Sequence, residues 1–321
     1  VILSFVLRAY RWKVILGPDS GVGLWEAYHP LIIGFMLNSI LPGRVGEVAR
    51  PVILRQKSAV PFTTGIATVV AERVFDLLML MAMFAAVIVS VEIDPEFSIP
   101  FGEYHLNKQV LMLIADGILK ISIVLIAGIA MVGFKKPREM IKRVIMAAPR
   151  LLFFAGETGR GRVEEKVCAP LNRLVDSFAS GFEQVKNVKA LLLCLLLSAG
   201  VWLLAALSYY TMSLGCPGIG LSLPLIAAMM VLICFFIALP SVPGFWGIWE
   251  AAGVFALLLF GVAKKDAAGY TLANHAVQMF PVIILGLVSA FVTGINIRHL
   301  PGQEKRDGMI SEKACNIGER H

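Results

Sequence analysis

Pro240-Ser241-Val242-Pro243-Gly244-Phe245-Trp246-Gly247-Ile248-Trp249-Glu250 is the stretch on which the fold turns. Glu250 is the single charged side chain between Lys189 and Lys264. A run that apolar is a membrane segment. A charged side chain near the bilayer centre costs on the order of 3 kcal/mol, so it is rarely there without a partner or a task. Upstream, Pro42-Gly43-Arg44-Val45-Gly46-Glu47 repeats the pattern: an apolar segment, a Pro-Gly break, then a glutamate. Two broken apolar segments of this kind point to a transporter more than to an enzyme.

Composition agrees. The 321 residues are 58% hydrophobic and only 16% charged, with a mean hydropathy of +0.78, where soluble domains average about 25% charged residues. The net charge of +7 does not imply nucleic acid, because the Lys and Arg residues fall mainly in loops, as the positive-inside rule requires. The five cysteines, Cys168, Cys194, Cys216, Cys234 and Cys315, have no metal or redox spacing. The chain opens in apolar sequence at Val1, read as the end of a truncated helix.

The expected fold is an all-α polytopic membrane protein, with residues 1–297 as one membrane domain. Arg8, Arg11 and Lys13 follow the apolar stub and are expected on the cytoplasmic side. Residues 25–56 then form a hairpin about Pro42-Gly43 that opens to the cytoplasm. Residues 60–91 run outward to an acidic loop (Glu92, Asp94, Glu96, Glu103), and 110–134 return. Residues 135–189 are a basic cytoplasmic segment, in which Val163, Val167, Leu171, Leu174, Phe178, Phe182 and Val185 make an amphipathic helical stripe. Residues 190–213 cross outward, 223–262 form a second helix pair about Pro243-Gly244, and 269–297 return. The tail 298–321 is polar, cytoplasmic and expected to be disordered. The first hairpin opens inward and the second outward, which is an inverted repeat. Glu47 to Glu72 and Glu250 to His275 are both 25 positions apart. Re-entrant hairpins and full transmembrane pairs both remain compatible with the lengths.

Four groups of polar residues are candidates for substrate binding and transport. Arg44, Glu47 and Arg50, at i, i+3 and i+6, are expected near one face of a helix starting after Pro42-Gly43. There the two arginines would grip a phosphate that Glu47 helps to orient, or would form an ion cluster at the cytoplasmic mouth. Glu72, Arg73 and Asp76 open the next helix, either as a salt-bridge knot with Arg73, Arg44 or Arg50 or as a functional site. Glu250, about two turns into a half-helix, is a candidate to gain and lose a proton during transport; a hydrogen bond to broken backbone is the alternative. Trp246 and Trp249 read as interfacial anchors in preference to cavity walls. Thr271, Asn274, His275 and Gln278 share a helix face, suited to interhelical hydrogen bonding or, with Glu250, to proton relay. Asp116 and Lys120, at i, i+4, are expected to neutralise each other. Nothing resembles a nucleotide loop, a zinc site or a Ser-His-Asp set, so no catalytic residue, metal or cofactor is assigned.

Arg8-Ala9-Tyr10-Arg11-Trp12, Asn38-Ser39-Ile40-Leu41-Pro42-Gly43-Arg44-Val45-Gly46-Glu47, Glu72-Arg73-Val74-Phe75-Asp76 and Pro243-Gly244 through Glu250 together resemble the lysylphosphatidylglycerol synthase transmembrane-region family. Its members are also called flippase-like or UPF0104 proteins, and the likeness extends to about residue 297. The family is similar to the flippase part of multiple peptide resistance factors, which moves aminoacylated phosphatidylglycerol between leaflets. Those proteins carry a soluble aminoacyl-tRNA-using domain after the membrane region; here a short tail follows Arg298, so lysyl transfer is not expected. The family's first helix is expected to be incomplete at this N-terminus.

The resemblance implies translocation of a phospholipid or lipid-linked anionic substrate across the bacterial or archaeal cytoplasmic membrane. A lipid phosphate headgroup would be the partner, Arg44, Arg50 and Arg73 its ligands, and no nucleic acid is implied. The alternatives are an integral-membrane enzyme or subunit acting on a glycolipid or isoprenoid phosphate, and a scaffold that transports nothing. Oligomeric state is left open.

Overall fold

The computed structural model describes residues 1–90, 98–101, 104–107, 135–147, 188–238 and 242–295, with isolated positions between 116 and 175. Its helices are α1 (Ile2–Leu16), α2 (Leu24–Ile40), α3 (Val45–Lys57), α4 (Phe62–Ser90), α5 (Lys135–Ala147), α6 (Val188–Leu214), α7 (Leu223–Ile237), α8 (Ile248–Leu259) and α9 (Lys264–Thr293). A short antiparallel hairpin, β1 (Ser98–Phe101) with β2 (Tyr104–Asn107), lies between α4 and α5 in the chain. It falls in the segment read as an acidic external loop. The return crossing 110–134 lies largely outside the described residues, as do most of the amphipathic stripe at 163–185 and the tail 298–321. Asp116 and Lys120 do pair, at 2.6 Å.

Among the described helices α6 and α9 are long and apolar enough to cross a membrane by length and composition. α4, with 29 residues, is as long, but carries Glu72, Arg73 and Asp76 in its interior. The arms of the two broken pairs are shorter, with 17 and 13 residues in α2 and α3 and 15 and 12 in α7 and α8. At about 1.5 Å per residue they are roughly 18–26 Å long, against a hydrocarbon core of about 30 Å.

Each pair folds back on itself. α2 and α3 touch through glycine: a Cβ added at Gly46 would collide with the Gly34 carbonyl, and one at Gly34 with the Arg50 side chain. Small residues that let two backbones meet are the usual solution for helix packing in lipid. The Asn38 side chain then accepts the Gly46 N–H at 2.7 Å, capping the start of α3 across the pair. α7 and α8 close over a core of Ile226, Met229, Met230, Ile233, Ala252, Ala256 and Leu257.

Several helix contacts recur in the two halves. α2 packs on α3 and α7 on α8; α3 on α4 and α8 on α9; α1 on α2 and α6 on α7. Across the halves, α2 packs on α9 while α7 packs on α4, and α1 on α6 joins the two leading helices. Phe84 of α4 meets Phe235 of α7 edge to face at 5.4 Å, and Gly286 of α9 lets Met36 of α2 come close.

Candidate functional site

α1 runs on through the basic residues Arg8, Arg11 and Lys13, and Arg11 is 0% exposed. Arg8 and Arg11, i and i+3, project from α1 toward α4, where Glu72 and Asp76 lie one turn apart. These acidic residues do not open α4. The helix begins at Phe62, so Glu72 sits about 15 Å along it at about 1.5 Å per residue.

Arg11 Nη1 donates to Asp76 at 2.8 Å and to Ser198 Oγ of α6 at 2.7 Å, and Nη2 reaches Glu72 at 3.2 Å. Arg50 of α3, stacked 4.4 Å over the Trp12 ring, donates to the other Glu72 oxygen at 2.7 Å. Arg73 touches Glu72 and Asp76, each at 3.3 Å, and Arg8 stands 3.6 Å from Asp76. Glu72 is itself wholly buried. Each carboxylate thus serves several guanidiniums, which offsets the cost of burial that an isolated pair would not recover. The Nε atoms of Arg11, Arg50 and Arg73 are buried with no acceptor. Among the described residues, four guanidiniums share two carboxylates.

The breaks of the two helix pairs meet. Arg44 is not on the face of α3 but is its N-cap, in the left-handed region at φ 56°. From there it pairs with Glu47 at 3.7 Å and donates 2.9 Å to the carbonyl of Ile237, the last residue of α7. A cation on exposed C-terminal carbonyls satisfies an orphan acceptor and the helix dipole together. Gly244, at φ 64° in the short turn Pro243–Phe245, rests against the Ser39 carbonyl of α2, where a Cβ would clash. In this structure Arg44 is engaged at the meeting of the breaks and Arg50 in the cluster on α4.

Glu250 is in the first turn of α8, not two turns in. One oxygen accepts the Gly247 N–H at 2.7 Å, and the other lies 2.5 Å from His275 Nδ1 of α9. His275 Nε2 is 2.9 Å from the Gly244 carbonyl. Trp249 stacks on the imidazole at 4.6 Å and 5°, and Trp246 covers it at 4.5 Å. These tryptophans wall the pair. Gln278 bonds Ser208 of α6 at 2.9 Å and Asn274 at 3.3 Å, while Thr271 turns back to the Ala267 carbonyl.

The structure thus assembles the candidates into two clusters. Glu72, Arg73, Asp76 and Arg50 form one; Glu250 and His275 form the other, with Asn274 and Gln278 beside it on α9. Pro42, Gly43, Arg44 and Glu47 lie at the break of the first pair, which Arg44 joins to α7, and Pro243 and Gly244 form the break of the second. Arg8 and Arg11 escaped the reading of charge alone because basic residues after an apolar stub fit the cytoplasmic side by the positive-inside rule. A signal was present in the Arg8-Ala9-Tyr10-Arg11-Trp12 motif and in the absence of Gly, Pro, Asn or Asp before Gly17.

Fold and site together define a helical membrane protein with charged side chains in its interior. Comparison with known sequences makes the assignment specific. Residues 1–286 match the family model of the lysylphosphatidylglycerol synthase TM region, and the chain belongs to that family. It is similar to a UPF0104 membrane protein of Methanothermobacter thermautotrophicus, 25% identical, with 91% of this chain and 83% of the relative covered. It is also similar to a UPF0104 membrane protein of Methanocaldococcus jannaschii, 24% identical, with 84% of this chain and 99% of the relative covered. No solved structure matches the chain.

Proposed function

We propose that this protein translocates a phospholipid or lipid-linked anion across the cytoplasmic membrane, with residues 135–189 and the C-terminus on the cytoplasmic side. The observation that carries the reading is the set of four guanidiniums from α1, α3 and α4 paired within 4 Å to the two carboxylates of α4, with three buried Nε donors lacking acceptors. A phosphate supplies the missing charge and the missing acceptors in one group. Arg73 and Arg8 form the approach, since Arg73 keeps 33% of its side chain exposed and Arg8 15%. Arg50 and Arg11 form the floor. The recurring contacts of the two halves and arms shorter than the bilayer support re-entrant pairs in an inverted repeat, whose breaks meet inside the membrane. Arg44 and Gly244 then stand where alternating access needs a joint.

The test compares wild-type protein with Arg73→Gln and Arg8→Gln, at matched thermal stability. Two readouts serve: mass spectrometry of copurified lipids, and transbilayer movement of labelled anionic lipid in proteoliposomes. Losing a hydrogen bond from a charged donor costs about 1.5–3 kcal/mol, so movement is expected to slow by roughly tenfold to a hundredfold. One phosphate-bearing lipid is expected to be enriched on the wild type and lost from the variants. Bulk-like lipid on all three, with unchanged movement, would overturn the reading.

A further inference from the structure

We infer that Glu250 and His275 form a proton-binding site that couples the lipid step to the movement of a proton; the coupling rests on the translocation reading above. Hydrogen-bond roles fix the proton count. The Gly244 carbonyl can only accept, so His275 Nε2 carries a hydrogen. The Gly247 N–H can only donate, so one Glu250 oxygen is an acceptor. A single proton therefore lies between Nδ1 and the other oxygen, and the pair is neutral as a unit whichever atom holds it. Removing that proton to solvent sets a carboxylate against the Nδ1 lone pair. That state is repulsive at 2.5 Å, so loss of the proton separates α9 from the first turn of α8.

The geometry carries that separation to the breaks. His275 is bonded to Gly244, and Gly244 rests on Ser39 of the opposite pair. The proton site and the joint between the halves thus share one residue. Other titratable groups on the elements packed around the pair have separate positions. On α6, Tyr209 has its ring 6.1 Å from Trp249, and Tyr210 follows it. On α7 there is Cys234. On α9, Tyr270 donates to the Tyr209 carbonyl, and Lys264, Lys265 and Asp266 lie at the helix start. On α2, His29 is held at Ser289, and Glu26 closes the helix N-terminus. At the first break, Arg44 is engaged with Ile237 and Glu47.

The Trp249 stack provides a readout that needs no lipid. Tryptophan fluorescence is titrated against pH in nanodiscs for wild type, Glu250→Gln and His275→Asn. A step is expected in wild type, altered in Glu250→Gln, where the carboxylate partner is gone, and absent in His275→Asn. Trp25, 6.5 Å from His29, contributes a separate component that all three proteins keep. Lipid movement is then timed in proteoliposomes under a pH gradient and its reverse. The wild-type rate is expected to differ severalfold between the two directions, and the His275→Asn rate to be indifferent. Absence of a His275-dependent step overturns the proton site. Lipid movement insensitive to the gradient in wild type overturns the coupling and leaves translocation standing. No lipid movement in any direction overturns translocation, and the coupling with it.

Discussion

Glu72→Ala is expected to cost about 3–5 kcal/mol, the range seen when one partner of a buried ion pair is removed. Glu72 accepts from Arg11, Arg50 and Arg73. Arg11 would keep Asp76 and Ser198, and Arg73 would keep Asp76. Arg50 would keep no ion-pair partner inside the cluster. It is 2% exposed beneath the Trp12 ring, so water cannot replace the lost carboxylate. Unfolding by SDS titration in mixed micelles measures the loss. The companion Arg50→Met, Glu72→Gln double variant removes both charges and is expected to be more stable than Glu72→Ala, although it carries two changes. A double variant no more stable than the single one would show that packing, and not the unpaired charge, sets the cost.

Gly46→Leu is expected to separate α2 from α3 and to leave little folded protein. A side chain at position 46 collides with the backbone carbonyl of Gly34, which cannot rotate aside, and with the Asn38 amide. Overpacking of a well-filled contact costs about 1–3 kcal/mol where side chains can give way, and a clash with backbone lies at or above the top of that range. Function would fail with stability, because α3 carries Arg50 to Glu72. Gly220→Ala is the control: a Cβ there meets nothing within 4 Å, so its thermal unfolding is expected to match wild type. Size-exclusion profiles and thermal unfolding of both variants in one detergent decide the comparison.

Much of this arrangement was legible before any coordinates. Membrane class, the two Pro-Gly breaks and the family follow from local sequence, because the bilayer imposes long apolar runs and makes interruptions conspicuous. Glu250 was conspicuous for the same reason. Its 25-residue spacing to His275 proved to be a direct contact, whereas the equal spacing of Glu47 and Glu72 did not: Glu72 pairs with Arg50 instead. The difference is one helical turn on α3, which spacing along a chain cannot resolve. Arg11 shows the converse limit. A basic residue near an apolar stub fits the cytoplasmic side by the positive-inside rule, yet its partners are 61, 65 and 187 positions away.

Read alone, the chain dictates an apolar helical protein, the places where its helices break and the polar residues it must keep out of lipid. Those properties are local, set by hydropathy and by the backbone limits of proline and glycine. Tertiary structure decided which charges neutralise which, that Trp246 and Trp249 enclose an imidazole, and that Arg44 of one break caps a helix end at the other. These depend on which helix faces meet, and in a bundle that choice rests on close packing at Gly34, Gly46 and Gly286 and on the drive to pair every buried charge.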